Sequence, residues 1–326
     1  MGKASRTKQA PDRRARIAAQ REAERRTSQL RRIYLAGGSV LVVVIVVVAL
    51  VLVNLNKSSG TAATVSNGPT GAALTTLIHQ VTDVPTSVTD KVASGGIPSE
   101  ILVSAPTSSD IQNDVTNLGS FFAYVGGSPL TANGKPEVLF IGAEYCPYCA
   151  AQRWAMANAL ARFGTFTDLT TTHSSVTDSY PNTRTLTFYG SKYTSPYITW
   201  TPVETTTNER QGNSSNTSVP YVTLQTPTAA QSALWSQYSP GGSIPFMDLG
   251  GKYVQEGNLY PLSPSILQGL TWQQIAADMN NPNSSVGKAE IGNANVMTAA
   301  ICNLTGDKPA SACTSTIQAL AAQLPK

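Results

Sequence analysis

Histidine is almost missing from this chain of 326 residues; it occurs only as His79 and His173. Two isolated imidazoles are too few for a histidine-ligated metal centre or a Ser-His-Asp nucleophile. No Gly-rich phosphate loop and no pair of carboxylates stands out, so phosphate transfer and paired-carboxylate catalysis have no motif to rest on. Charged residues make up only 13% of the chain, and cysteine occurs four times. The chemistry has to come from what remains, and the cysteines are the best placed.

The few charges are unevenly spread. Residues 1–32 carry eleven Lys or Arg against three acidic residues, and the rest carries twelve against sixteen, so a tail of +8 precedes a body of −4. Such a tail suits nucleic acid or an anionic membrane surface, and the next segment decides for the membrane. Residues 33–56 hold no charge and centre on the apolar run 40–53. About 20 apolar residues cross a bilayer as a helix, and flanking arginines mark the cytoplasmic side. The expectation is a basic cytoplasmic tail over 1–32, a single transmembrane helix over 33–56, a Ser/Thr/Gly/Ala-rich linker over 57–71 and an extracytoplasmic body over 72–326. A cleaved signal peptide is the competing reading; its apolar core is shorter, roughly 7–15 residues, and ends in a small-residue cleavage site that is not evident here.

Cys146-Pro147-Tyr148-Cys149 directly follows the apolar run 138–143 and opens a helix-like stretch over 150–163. Strand, Cys-x-x-Cys and helix in that order make a thiol reactive. A cysteine at a helix N-terminus sits among unpaired N–H groups at the positive end of the macrodipole, which stabilises its thiolate. A second cysteine one turn on can resolve a mixed disulfide formed by the first. Proline in the first helical turn costs no hydrogen bond. Within the helix, Ala150, Trp154, Ala157 and Ala161, and again Met156, Leu160 and Phe163, recur at steps of three or four, so most of the circumference is apolar; Gly164 reads as the C-cap. With no Lys, Arg or His inside the motif, only the helix terminus is expected to lower the thiol pKa, and Cys146 is expected at an exposed helix start.

Cys302 and Cys313 enclose ten residues with Gly and Pro in the middle. In an oxidising compartment they read as a structural bridge, worth about 3 kcal/mol in the chain-entropy model. The alternatives are a second redox pair, or a metal site drawing on all four thiolates; the ten-residue gap is unlike a zinc knuckle.

Periodicity predicts helices at 72–81 and 85–93, extended segments at 121–125, 138–143, 168–174, 184–189 and 197–203, and an exposed polar loop at 204–218. Ile244-Pro245-Phe246-Met247-Asp248-Leu249-Gly250-Gly251 begins a hairpin about Gly250-Gly251. Pro245 stands at the entry to its first strand, either sparing a ladder bond there or as a cis proline. Helical segments follow at 266–279, 295–304 and 314–324.

Together these elements resemble the thioredoxin fold: a strand, a Cys-x-x-Cys at the start of a long helix, a proline before a β-hairpin and a closing helix. Ala143-Glu144-Tyr145-Cys146 resembles the approach to a thioredoxin active site, and the Cys-Pro-Tyr-Cys string is similar to that of glutaredoxins. Basic tail, anchor, motif and late cysteine pair are most similar to the membrane-anchored thioredoxin-like family catalogued as domain of unknown function 929, over roughly residues 74–313. The resemblance implies an α/β, thioredoxin-like fold with a long insertion at about 165–243 and a C-terminal helical region at about 263–326. It implies Cys146 as nucleophile, Cys149 as resolving thiol and a cis Pro245 whose loop aligns the substrate strand through Ile244, with Pro147, Tyr148, Tyr145 and Glu144 in support. Pro220 is a rival for the proline role, but no hairpin follows it. The chain departs from the pattern at Phe140, where thioredoxin-like reductases often carry a buried acid; Glu144 is a candidate substitute, or a carboxylate that simply faces solvent.

The function so implied is a membrane-tethered, extracytoplasmic thiol–disulfide oxidoreductase. Its partners would be protein thiols or disulfides and a membrane redox partner, with no nucleic acid, no cofactor and no metal. The alternative is a redox-inactive binding or assembly module of the same fold, in which both cysteine pairs are staples.

Overall fold

The computed structural model describes residues 68–93, 123–255 and 262–324, all within the second of two compact units of the chain, Asn67–Lys326. The expected tail and transmembrane helix lie outside the described residues. No helix among those described is long and apolar enough to cross a membrane.

The elements run α1 (Gly71–Thr82), α2 (Thr86–Val92), β1 (Ala123–Tyr124), β2 (Thr131–Ala132), β3 (Lys135–Gly142), α3 (Pro147–Ala161), β4 (Thr165–Thr167), β5 (Thr170–His173), β6 (Arg184–Thr187), β7 (Lys192–Thr194), β8 (Thr199–Glu204), β9 (Thr206–Arg210), β10 (Tyr221–Thr223), α4 (Ala229–Tyr238), β11 (Phe246–Leu249), β12 (Tyr253–Gln255), α5 (Trp272–Met279), α6 (Ser285–Thr305) and α7 (Ser315–Ala321). The fold is thus mixed α/β.

β3 is the axis of the main sheet. It pairs in parallel with β8 on one side and antiparallel with β11 on the other; β12 continues beyond β11, and β1 beyond β12. Alternate β3 residues face opposite ways, and both faces are covered. Val138 and Phe140 join Met247, Leu249 and Tyr253 in the larger core, under α3 and α6. Leu139 and Ile141 join Val203, Phe246 and Val254 on the other face, where Leu234, Trp235 and Tyr238 of α4 pack. A strand buried on both sides needs a continuous apolar run rather than an alternating one, which is why 138–141 reads as it does.

α3 and α6 are buried almost all round. The two helices pack on each other, and each buries small residues, Ala151 and Ala155 on α3 and Ala289 and Ala294 on α6. α7 packs on α6 and is tied to it by the Cys302–Cys313 disulfide, with Cα atoms 5.8 Å apart. Asn295 of α6 donates to the carbonyls of Thr89 (2.8 Å) and Ala93 (2.7 Å), satisfying the end of α2.

Several sequence expectations shift. The polar stretch 204–218, read as an exposed loop, contains β9, which pairs with β10. Within the stretch 165–243, the strand expected at 197–203 forms as β8 and is a full member of the main sheet. Gly164 is not the cap of α3; that position is Arg162 in αR conformation. A Cβ at Gly164 would run into the carbonyl of Thr194, so packing against β7 selects glycine there. The helix expected at 295–304 begins ten residues earlier, with Ser284 as N-cap accepting from the Gly287 N–H at 2.8 Å. α4 has no counterpart in the sequence reading.

Candidate active site

The register of the sheet assembles the site. Ile141 of β3 faces Phe246 of β11, so the residues that leave β3 and those that enter β11 emerge side by side. The first lead into Cys146, the second are Ile244-Pro245. The Ile244–Pro245 peptide is cis, and the Cys146 Sγ lies 4.0 Å from the Ile244 carbonyl oxygen.

Cys146 is the N-cap of α3 with Pro147 next to it, and its sulfur accepts the Cys149 backbone N–H at 3.3 Å. Both thiols are free. The expectation of an exposed sulfur is corrected: Cys146 is 5% accessible and Cys149 is 0%. Burial pushes the Cys146 thiol up, but hydrogen bonds from the Cys149 side chain and backbone, the charge of Arg153 and the Tyr148 backbone outweigh it, leaving the thiol below its ordinary range. Cys149 goes the other way: burial, its bond to Cys146 and the charge that forms there push it well up, against the pull of Arg153 and the Ala143 backbone. The two sulfurs are therefore pushed in opposite directions.

The expectation that only the helix terminus acts on these thiols is also corrected. Arg153 is fully buried one turn beyond Cys149. Its Nε and Nη2 donate to the two carboxylate oxygens of Glu204 at 2.8 and 2.7 Å, and Nη2 also donates to the Ala143 carbonyl at 2.8 Å. Glu204, at the end of β8, is just as buried. Fork-to-fork geometry of this kind is what a buried ion pair needs to offset desolvation.

Glu144 does not face solvent. It is 9% accessible, accepts the Thr187 hydroxyl at 2.5 Å, and burial raises its carboxyl above the ordinary range. Phe140, where an acid was absent, fills its space with rings: Phe188 at 5.9 Å edge-on and Trp200 at 6.1 Å stacked.

Around the motif stands an aromatic layer from the segment between α3 and α4. Tyr145 stacks on Tyr221 at 4.3 Å, and the Arg210 guanidinium covers the Tyr221 ring at 4.0 Å. Tyr148 meets Tyr180 edge-on at 5.9 Å, and Ser175 donates its N–H to the Tyr145 carbonyl at 2.9 Å. Burial pushes the Tyr145 hydroxyl up to about 12, so it stays protonated at neutral pH.

Sequence reasoning missed Arg153, Glu204, Tyr180, Tyr221 and Arg210. Arg153 did leave a signal, as the one charged residue in an otherwise uncharged, largely apolar helix. Glu204 left none, being 51 residues away. Pro220 is not among the cis prolines, and its carbonyl accepts from the Gln211 N–H beside β9. The Cys302–Cys313 bridge engages the two sulfurs that a four-thiolate metal site would need.

No curated protein and no solved structure matches the chain. A family model does: the one described as Domain of unknown function (DUF929) covers residues 121–303, more than half of the sequence and the whole Cys146–Pro245 site, and the chain therefore belongs to that family.

Proposed function

We propose that this protein is a thiol–disulfide oxidoreductase of thioredoxin-like architecture, exchanging disulfides with protein substrates through Cys146 and Cys149. The observation that carries the reading is the position of the Cys146 sulfur, at the N-cap of α3, 3.3 Å from the Cys149 N–H and 4.0 Å from the carbonyl that precedes the cis Pro245. The order β8-β3-β11-β12, one parallel pairing followed by two antiparallel ones, supports the architecture.

In the reducing direction the Cys146 thiolate attacks a substrate disulfide. A Cys146–substrate S–S bond forms, and one substrate sulfur leaves and takes up a proton. Cys149 then loses its proton and attacks the Cys146 sulfur; the second substrate sulfur leaves with a proton, and the pair ends oxidised. The oxidising direction runs the same steps in reverse. With Cys146 only 5% accessible, movement of surrounding side chains is part of substrate entry. The uncharged segment 33–56 and its basic flank support a membrane tether with the site outside the cytoplasm.

Burial of both sulfurs favours a second reading, a redox-inactive binding or assembly module. The two are separated by replacing Cys149 with Ser and identifying, by mass spectrometry, proteins disulfide-linked to Cys146. The oxidoreductase reading expects substrates trapped on Cys146; no trapped species, together with an oxidised wild type inert to dithiols, would favour the module.

A further inference from the structure

We propose that Arg153 is a positioning residue whose charge stabilises the thiolate that forms at Cys149 when a mixed disulfide on Cys146 is resolved. The inference rests on the oxidoreductase reading above and adds to it the residue that replaces the missing acid at position 140.

Three observations carry it. Arg153 is the only charged residue of α3 and stands four residues after Cys149, which puts the two side chains on the same helix face in adjacent turns. Its guanidinium is anchored by Glu204 and by the carbonyl of Ala143, in the segment that leads into Cys146, so it cannot swing away to solvent. Its Nη1 is buried with no hydrogen-bond partner among the described residues. A group serving only to pair with Glu204 would gain from satisfying every donor; a buried donor left unmade is costly unless an acceptor arrives during the cycle. The anion that arrives is sulfur. The Arg153 charge already acts on Cys146, Cys149 and Glu144.

The electron count is unchanged by this assignment. Cys149 gives up a proton, which ends on the departing substrate sulfur; its electron pair forms the bond to Cys146, and the Cys146–substrate bond breaks. The other ionisable groups around the pair are Glu144 before it, Glu204 and Glu209 on β8 and β9, Asp178 in the loop after β5, the tyrosines Tyr145, Tyr148, Tyr180 and Tyr221, and Arg210, whose guanidinium lies over the Tyr221 ring. From α6, Glu290 approaches the helix at Ala155, and burial pushes its carboxyl well up. Every carboxylate among them opposes a thiolate, and Arg153 is the cation on the helix that carries Cys149.

The test uses the full chain and dithiobis(nitrobenzoate), followed by single-turnover absorbance against pH. The first thionitrobenzoate released reports attack by Cys146, and the second reports attack by Cys149 on the mixed disulfide. Arg153→Met combined with Glu204→Gln removes both charges without stranding either. It is expected to raise the pH midpoint of the second release by about 1, a tenfold slowing at neutral pH. Glu204→Gln alone leaves the cation uncompensated and lowers that midpoint, while Arg153→Lys keeps it near wild type. Midpoints equal in wild type, Glu204→Gln and the double variant would overturn the assignment. If the double variant does not fold, Glu204→Gln decides alone, and no downward shift overturns it. A wild type that releases both thionitrobenzoates yet exchanges with no protein disulfide would remove the oxidoreductase reading, while the midpoints still decide for or against Arg153.

Discussion

The two cysteine pairs are buried to nearly the same extent and differ in almost everything else. Cys302 is 0% and Cys313 3% accessible; Cys149 is 0% and Cys146 5%. The late pair joins the end of α6 to the turn before α7, among apolar side chains, as a closed disulfide. The early pair sits at a helix start, as free thiols, beside a buried Arg153–Glu204 ion pair and the Ile244 carbonyl. Accessibility is therefore nearly the same for the two pairs. Their electrostatic surroundings differ: one pair has the Asp307 carboxylate within 4.8 Å of its sulfurs, and the other has a helix terminus and a fixed cation.

The largest effect that can break this contrast is on exchange itself. Cys146→Ser is expected to reduce disulfide exchange with an oxidised protein substrate to background, whereas Cys302→Ser with Cys313→Ser leaves the rate per folded molecule unchanged; equal losses in both would erase the distinction. The second effect is on stability. Removing the late bridge is expected to cost about 3 kcal/mol, read from denaturant unfolding, because the unfolded chain regains the freedom of that loop; Cys149→Ser is expected to cost far less, since it changes one atom.

Much of this contrast was legible in the sequence, because its signals are local. The Cys-Pro-Tyr-Cys string lies between an apolar run and a helical pattern, the Gly250-Gly251 turn stands between two short apolar segments, and Gly and Pro lie between Cys302 and Cys313. What stayed hidden depends on partners far apart in the chain. β9 is made of Thr206-Thr207-Asn208-Glu209-Arg210, which has no apolar face to announce a strand; its partner β10 creates it. α4 buries only part of Leu234, Trp235 and Tyr238 against the sheet, too little for a clear helical period. The parallel pairing of β3 with β8 brings Glu204 to Arg153, and no spacing rule encodes that meeting.

A third test sharpens the role of paired charge. Near Cys146 and Cys149 the buried Arg153 and Glu204 pair with each other, whereas Asp248, with no cation beside it among the described residues, is pushed up to about 6 by burial against the bond its Oδ1 accepts from Gly251. The ordinary value is 3.8, so the folded chain holds this proton more tightly than the unfolded one. Stability is therefore greatest below that value, falls as pH rises through the window up to about 6, and stays lower above it. Asp248→Asn keeps the Gly251 bond and is expected to flatten this slope, gaining on the order of 2 kcal/mol at neutral pH in thermal or denaturant unfolding. An unchanged slope would place the pH sensitivity elsewhere.

The smallest expected effect concerns the aromatic layer. Tyr221→Ala removes the ring between Tyr145 and Arg210. It is expected to cost about 1 kcal/mol of stability and to change the KM for protein substrates more than kcat. A fall in kcat alone would mean that the layer acts on the sulfurs rather than on substrate approach.

The most direct test of the central claim is a redox titration of the full chain against glutathione or dithiothreitol, with each cysteine pair quantified separately by mass spectrometry. The account predicts two transitions, Cys146/Cys149 between about −120 and −270 mV and Cys302/Cys313 below about −300 mV. A single transition below about −300 mV for both pairs would contradict it and make the early cysteines a second staple.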